Sequence, residues 1–228
     1  MKIYGLKKIS GRRVFIGYLG IGGTGLFTIK HMIDNMDSVE RVAIIETIYL
    51  PPLITYNEGR LYYPIELYKS GENLILKVEN LPPGSRGNKV VKNLIRFLKR
   101  IGVEEYIVIG GLTKNLREGE SDEYRVVYNK YWRNKVPGKE APKNLRIFGP
   151  LAATLLYTEL EKVPALGILA YSDDNVMDPM AVSYAVRAIN SIFGFNLPID
   201  SLKEAAKEVR DMMRELEELV EKGKNIYT

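Results

Sequence analysis

The residues most suggestive of chemistry lie early in the chain, where Gly20-Ile21-Gly22-Gly23-Thr24-Gly25 has glycines at dinucleotide-fingerprint spacing. Bare glycine backbone between a strand and a helix lets a pyrophosphate reach N–H groups at the helix start. Glu46 stands 21 residues beyond Gly25, near where a ribose-binding carboxylate would fall. Gly20, Gly22, Gly25 and Glu46 are therefore the cofactor-binding candidates of an enzyme reading. The competing reading needs no ligand, because a parallel α/β fold requires a tight first strand-to-helix turn and glycine makes one cheaply. No second domain for a substrate and no acid–base pair accompanies the turn, so the expectation is no cofactor and no catalysis.

Other reactive groups are few. The chain has no cysteine and one histidine, which removes disulfides, thiolate nucleophiles, cysteine zinc sites and multi-histidine metal centres. His31 falls off the best apolar line of the first helix and reads as a surface or core polar residue. Asp173, Asp174 and Asp178 cluster after a strand and could bind a metal or move protons. Asp178 before Pro179 is equally a helix N-cap, and Asp173-Asp174-Asn175 is ordinary loop chemistry.

The elements that would position these residues alternate. Strands are expected at Arg13 to Leu19, Arg41 to Glu46, Tyr106 to Ile109 (closed by Gly110-Gly111) and Ala165 to Ala170. Short β-like pieces fill the stretch from Tyr49 to Val78. Helices are expected through Leu26, Ile29, Ile33 and Met36, through Val91, Leu94, Ile95 and Leu98, from Gly149-Pro150 to Val163, and after Asp178. The pattern predicts one α/β domain, residues 1–222, whose central sheet is largely parallel with helices on its faces. It includes an insertion, 112–147, and a long helix, 201–222, opened by a Ser201–Glu204 capping box.

Leu202, Ala206, Val209, Met213, Leu216 and Val220 form a heptad seam on that helix, suited to packing on the parent domain or on another copy. The insertion carries Arg125, Lys130, Arg133, Lys135, Lys139, Lys143 and Arg146 among Tyr124, Tyr128, Tyr131 and Trp132. Such a mixture could hold single-stranded nucleic acid. Interface anchoring through Tyr131, Trp132 and Arg133, or a solvated hairpin, ranks above it, because no nucleic-acid motif is present. The candidate oligomer interface is thus Tyr131, Trp132 and Arg133 with Leu202, Val209, Met213, Leu216 and Val220.

The net charge of +5 comes from 33 basic and 28 acidic residues, mostly interleaved, which does not point to nucleic acid. No apolar run is long enough for a membrane helix, and Met1 to Lys8 lacks a signal-peptide apolar region; a cytoplasmic location is expected. Glutamine is absent and Lys, Arg and Glu are abundant, a composition that suggests a thermophile.

The chain resembles the proteasome assembly chaperone 2 family in its archaeal branch. The resemblance rests on the glycine turn within Gly17 to Gly25, Gly110-Gly111, Gly149-Pro150, the strand Pro164 to Ser172, Asp178-Pro179 and Ile199-Asp200-Ser201-Leu202 before a charged last helix. It departs at Tyr18-Leu19-Gly20, where a proline is expected. It implies a nucleoside-phosphorylase-like fold without catalytic groups, and homo-oligomers that associate with the proteasome core particle. Some members end in a hydrophobic residue, a tyrosine and any residue, which enter pockets of the α-ring. Ile226-Tyr227-Thr228 matches that motif at the end of a docking tail, residues 223–228, expected to be flexible beyond the helix stop at Gly223.

Overall fold

The computed structural model describes residues 1–5, 7, 9–173, 177–209 and 211–212. Its elements are β1 (Lys2–Gly5), β2 (Arg13–Tyr18), α1 (Thr24–Asn35), β3 (Glu40–Glu46), β4 (Thr55–Asn57), β5 (Arg60–Tyr62), β6 (Ile65–Ser70), β7 (Asn73–Val78), α2 (Ser85–Arg100), β8 (Glu105–Thr113), β9 (Tyr124–Tyr128), β10 (Lys139–Glu140), α3 (Gly149–Leu160), β11 (Ala165–Ser172) and α4 (Pro179–Phe193). Helix resumes over residues 200–209 and at 211–212; the rest of the expected 201–222 helix lies outside the described residues.

Nine strands make one sheet in the order β1-β3-β6-β7-β2-β8-β11-β9-β10, while β4 and β5 form a separate hairpin. The block β7-β2-β8-β11 is parallel. Antiparallel pairing adds β6, β3 and β1 on one side and β9 on the other. The parallel expectation therefore holds for the centre, and the whole sheet is mixed. The composition explains the division: central strands such as Phe15-Ile16 and Ile107-Val108-Ile109 are apolar on both faces, as helix-covered parallel strands must be.

Two cores result. One face buries Val91, Leu94 and Leu98 of α2 and Ala153 of α3 against Val14, Ile16 and Leu76. The other buries Ile29 and Met32 of α1 and Val182, Ala185 and Ile189 of α4 against Phe15, Ile75 and Ile107. The apolar positions recur at spacings of three and four on each helix, which is why one stripe of each is dry. Asp178 caps α4 as its sequence indicated, accepting from the Met180 N–H at 3.0 Å and the Ala181 N–H at 3.1 Å.

Three local expectations are corrected. Gly110 and Gly111 do not end their strand; β8 continues through them to Thr113, because β11 pairs alongside as far as Ser172. The last helix is already formed at residue 200, with the Lys203 N–H donating to the Ile199 carbonyl, so Ser201 lies inside it rather than capping it. The insertion is not a solvated hairpin, since β9 joins the sheet beside β11 and Arg125 is buried between Asp122, at 2.7 Å, and the Tyr171 hydroxyl, at 2.8 Å.

A buried ion cluster shapes the other side of the sheet. Glu66 on β6 has 0% exposure and lies directly across from Lys77 on β7, with which it is ion-paired. Arg41 also pairs with Glu66, and the Tyr68 hydroxyl donates to it at 3.0 Å. Burial and this carboxylate push the Tyr68 hydroxyl above the usual tyrosine range. Arg41 then reaches the Leu61 carbonyl at 2.7 Å and so ties the β4–β5 hairpin to the body.

Glu66→Gln is expected to lower stability by about 3 kcal/mol, because it removes the carboxylate that Arg41 and the buried Lys77 share and leaves Lys77 only the more distant Glu79, at 3.8 Å. Exchanging both Glu66 and Lys77 for apolar residues of similar volume is expected to be close to neutral. Urea unfolding followed by circular dichroism distinguishes the two outcomes.

Candidate functional site

The glycine turn sits at the carboxyl edge of the parallel block, between strands whose connections leave in opposite directions. From β2 the chain moves through α1 toward β3, and from β8 it moves toward β11 on the other side. Such a switch point is where open α/β sheets usually hold ligands. Here two of the glycines are packed closely against neighbouring elements.

Gly22 has φ +58°, a left-handed conformation, and a Cβ there would overlap the Ser172 hydroxyl. At Gly25 a Cβ would overlap the Ile109 carbonyl oxygen and lie 2.9 Å from that of Tyr18. The Thr24 hydroxyl donates to the Ile21 carbonyl at 3.0 Å, and the Asp178 N–H to the Gly22 carbonyl at 3.0 Å. The turn is thus pinned to β8, β11 and the start of α4. Gly20 stands clear, and a methyl group added there would meet nothing within 4 Å.

Glu46 is not placed to read a ribose at this turn. It ends β3, which β6 and β7 separate from β2, so it lies roughly 14 Å away across the sheet. There it accepts from the Tyr4 hydroxyl at 2.8 Å. An apolar hollow beside the turn, about 280 Å³, is lined by Ile21, Gly111, Ile147 and Leu151, with the charged Arg146 at its wall. A second hollow, about 470 Å³, shares Tyr18, Leu19 and Gly149 with it and is lined further by Glu79, Asn80 and Pro82. Burial holds the Tyr18 hydroxyl nearby in its neutral form, and it shares a 2.8 Å hydrogen bond with Thr154.

The remaining candidates have structural occupations. His31 is buried in α1, and its Nε2 donates to the Pro198 carbonyl at 2.7 Å, anchoring the segment that leads into the last helix. Asp178 is used by the α4 cap and by the Asp173 N–H at 2.9 Å; Asp174 lies outside the described residues. Among the described residues no group of three or more His, Asp or Glu could hold a metal, and no helix is long and apolar enough to cross a membrane.

Of the interface candidates, Trp132 is corrected. It is 8% exposed, packed in the core beneath α4, and its indole N–H donates to the Asn134 carbonyl at 2.7 Å. Its ring closes the insertion onto the sheet, which leaves Tyr131 partly covered and Arg133 exposed beside it. Several of the insertion's basic residues are tied in ion pairs: Lys114 to Asp173, Arg125 to Asp122, Lys130 to Glu159 and Lys139 to Glu118. Leu202 packs against the same core as α1 and α4, so the seam begins on the parent domain. Val209 is half-buried, while Met213, Leu216 and Val220 lie outside the described residues, as do Ile226, Tyr227 and Thr228.

A sequence profile of the PAC2 family matches residues 14–217. The chain belongs to the PAC2 family. No curated protein matches it in sequence. PbaA of Pyrococcus furiosus, an archaeal homolog of proteasome-assembly chaperone, superposes with a TM-score of 0.78 at 19% identity, covering 98% of this chain and 94% of that one. PbaB of the same organism, an archaeal proteasome activator, gives 0.77 at 19% identity, covering 95% and 98%. A Thermoplasma acidophilum protein of unknown function gives 0.71 at 20% identity, covering 93% and 88%. The PAC2 fold therefore extends over nearly the whole chain.

The sequence reading overlooked the strand β1, the buried Glu66–Lys77 pair and a large apolar surface around residues 47–61. The pair did leave a signal: single charges inside Ile65-Glu66-Leu67 and Ile75-Leu76-Lys77-Val78, facing each other across a hairpin.

The glycine packing makes a contrast that stability measurements can check. Gly25→Ala is expected to cost about 3 kcal/mol or more, since backbone must move to admit the methyl. Gly20→Ala is expected to change stability by no more than about 0.5 kcal/mol. A turn built to admit a pyrophosphate would instead show a several-degree rise in Tm with NAD or ATP, and no such rise is expected.

Proposed function

We propose that this chain is a non-enzymatic proteasome-binding protein of the assembly-chaperone or activator kind, working in the cytoplasm of an archaeon. It docks its closing residues, Ile226-Tyr227-Thr228, into the α-ring of the core particle. The observation that carries this is the PAC2 match over residues 14–217 on a chain that ends in a hydrophobic residue, a tyrosine and a threonine. The structural likeness to PbaA and PbaB supports it at the level of the fold. Close packing of Gly22 against Ser172 and of Gly25 against Ile109 accounts for these glycines without a nucleotide.

The physics of such docking is plain. Ile226 would fill an apolar pocket, Tyr227 would add ring area and a hydroxyl, and the terminal carboxylate would meet a lysine of the ring. One tail binds weakly. Several tails on a homo-oligomer gain about a hundredfold or more through effective concentration.

Pull-down with purified core particle tests this. Tyr227→Ala, and a chain extended by one residue after Thr228, are each expected to lose at least about tenfold in binding, because each tail forfeits its largest buried group or displaces its carboxylate. Circular dichroism and solution mass should stay those of the wild type. Equal capture of all three proteins would rule out tail docking and direct the search to the folded body.

A further inference from the structure

Helix α2 gathers the chain's excess charge on one side. It carries Arg86, Lys89, Lys92, Arg96, Lys99 and Arg100 and no carboxylate. Without it 27 basic residues would face 28 acidic ones, so this single helix accounts for the whole net +5. The six cations recur at spacings of three and four, opposite the stripe of Val91, Leu94 and Leu98 that enters the core. They therefore line up along roughly 20 Å of surface. The carboxylates on the segments around them are engaged: Glu79 with Lys30 at 2.6 Å, Glu104 with Arg12 at 3.3 Å and Glu159 with Lys130 at 3.1 Å. Glu161 pairs with Arg96 and Lys99. Among the described residues, Arg86, Lys89, Lys92 and Arg100 pair with no carboxylate.

Like charges held three and four residues apart repel one another, and a partner of opposite sign relieves that cost. Alongside the stripe, α2 and α3 leave a groove of about 390 Å³ lined by Lys89, Lys92, Arg96, Asn88, Asn93 and Tyr157. Every charged side chain in that lining is cationic. Lys92 lies over the Tyr157 ring at 5.8 Å, and Lys89 over the Tyr49 ring at 5.7 Å. Leu156 and Leu160 stand one turn apart on the outer side of α3, 53% and 64% exposed. A cationic wall beside an apolar ridge thus faces the solvent.

We propose that this face docks an acidic amphipathic segment of another protein, its carboxylates against the α2 stripe and its apolar side chains over Leu156 and Leu160. Other anions fit only part of the surface. A phosphodiester backbone offers nothing apolar to the two leucines, and lysines lie over the Tyr49 and Tyr157 rings on which bases would stack. An anionic membrane takes up a helix by its apolar face, which in α2 is buried in the core. An acidic amphipathic segment meets both surfaces at once, and water excluded by the leucines strengthens the ion pairs beside them. The site lies on the folded body and does not involve the tail.

Fluorescence anisotropy tests this with a labelled synthetic peptide whose Leu and Glu residues fall on opposite faces of a helix. The full chain is expected to bind it, less tightly as salt is raised, and not to bind the same peptide with Lys in place of Glu. Arg86→Glu with Lys89→Glu should weaken binding at least about tenfold. Acidic residues near the start of α2 favour its dipole, so the far-ultraviolet spectrum should be kept. Leu156→Ser with Leu160→Ser, which leaves every charge in place, should also weaken binding by about tenfold. Lys135→Glu with Lys143→Glu makes the same charge change on the insertion and should alter binding by less than about twofold. No binding by the wild type, an equal loss in the insertion variant, or full binding by the serine variant would overturn the proposal. So would tighter binding of a single-stranded oligothymidine or of phosphatidylserine vesicles, which would assign the face to phosphate. A lower solution mass in the α2 variant would overturn it too, by assigning the face to a contact between copies. Tyr227→Ala should leave peptide binding unchanged, so this proposal and tail docking succeed or fail separately.

Discussion

Backbone can lie directly on backbone only where no Cβ intervenes, and the carboxyl edge of this sheet depends on that closeness. Gly25 brings the first turn of α1 against the Ile109 carbonyl of β8, and Gly22 brings the preceding turn against Ser172 of β11. Because α1 is seated so low, Ile29 and Met32 reach the floor of Phe15, Ile75 and Ile107, and α4 can pack beside α1 on the same face. The same closeness accounts for these glycines of the turn by packing alone.

At the periphery the governing interaction is ionic and buried. The Glu66–Lys77 pair adds little net stability, because desolvating two charges offsets most of their attraction. Its consequence is positional. Glu66 fixes Arg41, Arg41 holds the Leu61 carbonyl, and Tyr62 and Tyr63 lie over Lys77 and Arg41. The β4–β5 ribbon is thereby kept in one orientation with its apolar side chains outward. The insertion is fastened by the same logic at the opposite end of the sheet, where Arg125 is enclosed by Asp122, Glu118 and Tyr171 while Trp132 enters the core.

Most of the framework was legible in the chain itself. Apolar runs bounded by glycine and proline marked the central strands, spacings of three and four marked the helices, and Asp178-Pro179 marked a helix start that the hydrogen bonds bear out. These are local signals: each depends on a dozen neighbouring residues and on the period of the backbone. The order of family motifs from Gly17 to Leu202 was legible too, and it led to the PAC2 family without any contact being known.

What depended on the third dimension was the meaning of residues whose partners are distant in sequence. Gly20 to Gly25 has the spacing of a dinucleotide fingerprint, and only the tertiary structure shows that Gly25 and Gly22 pack against Ile109 and Ser172, more than eighty residues away. Glu46 has the right separation along the chain, yet two strands inserted between β3 and β2 carry it across the sheet. Trp132 has the composition of an interface anchor, and burial beneath α4 makes it a core residue. A sequence determines which segments are strands and helices because those choices are made over one or two turns of backbone. It leaves open which segments become neighbours, because that is decided by the summed burial of many side chains at once, and a site is made of neighbours.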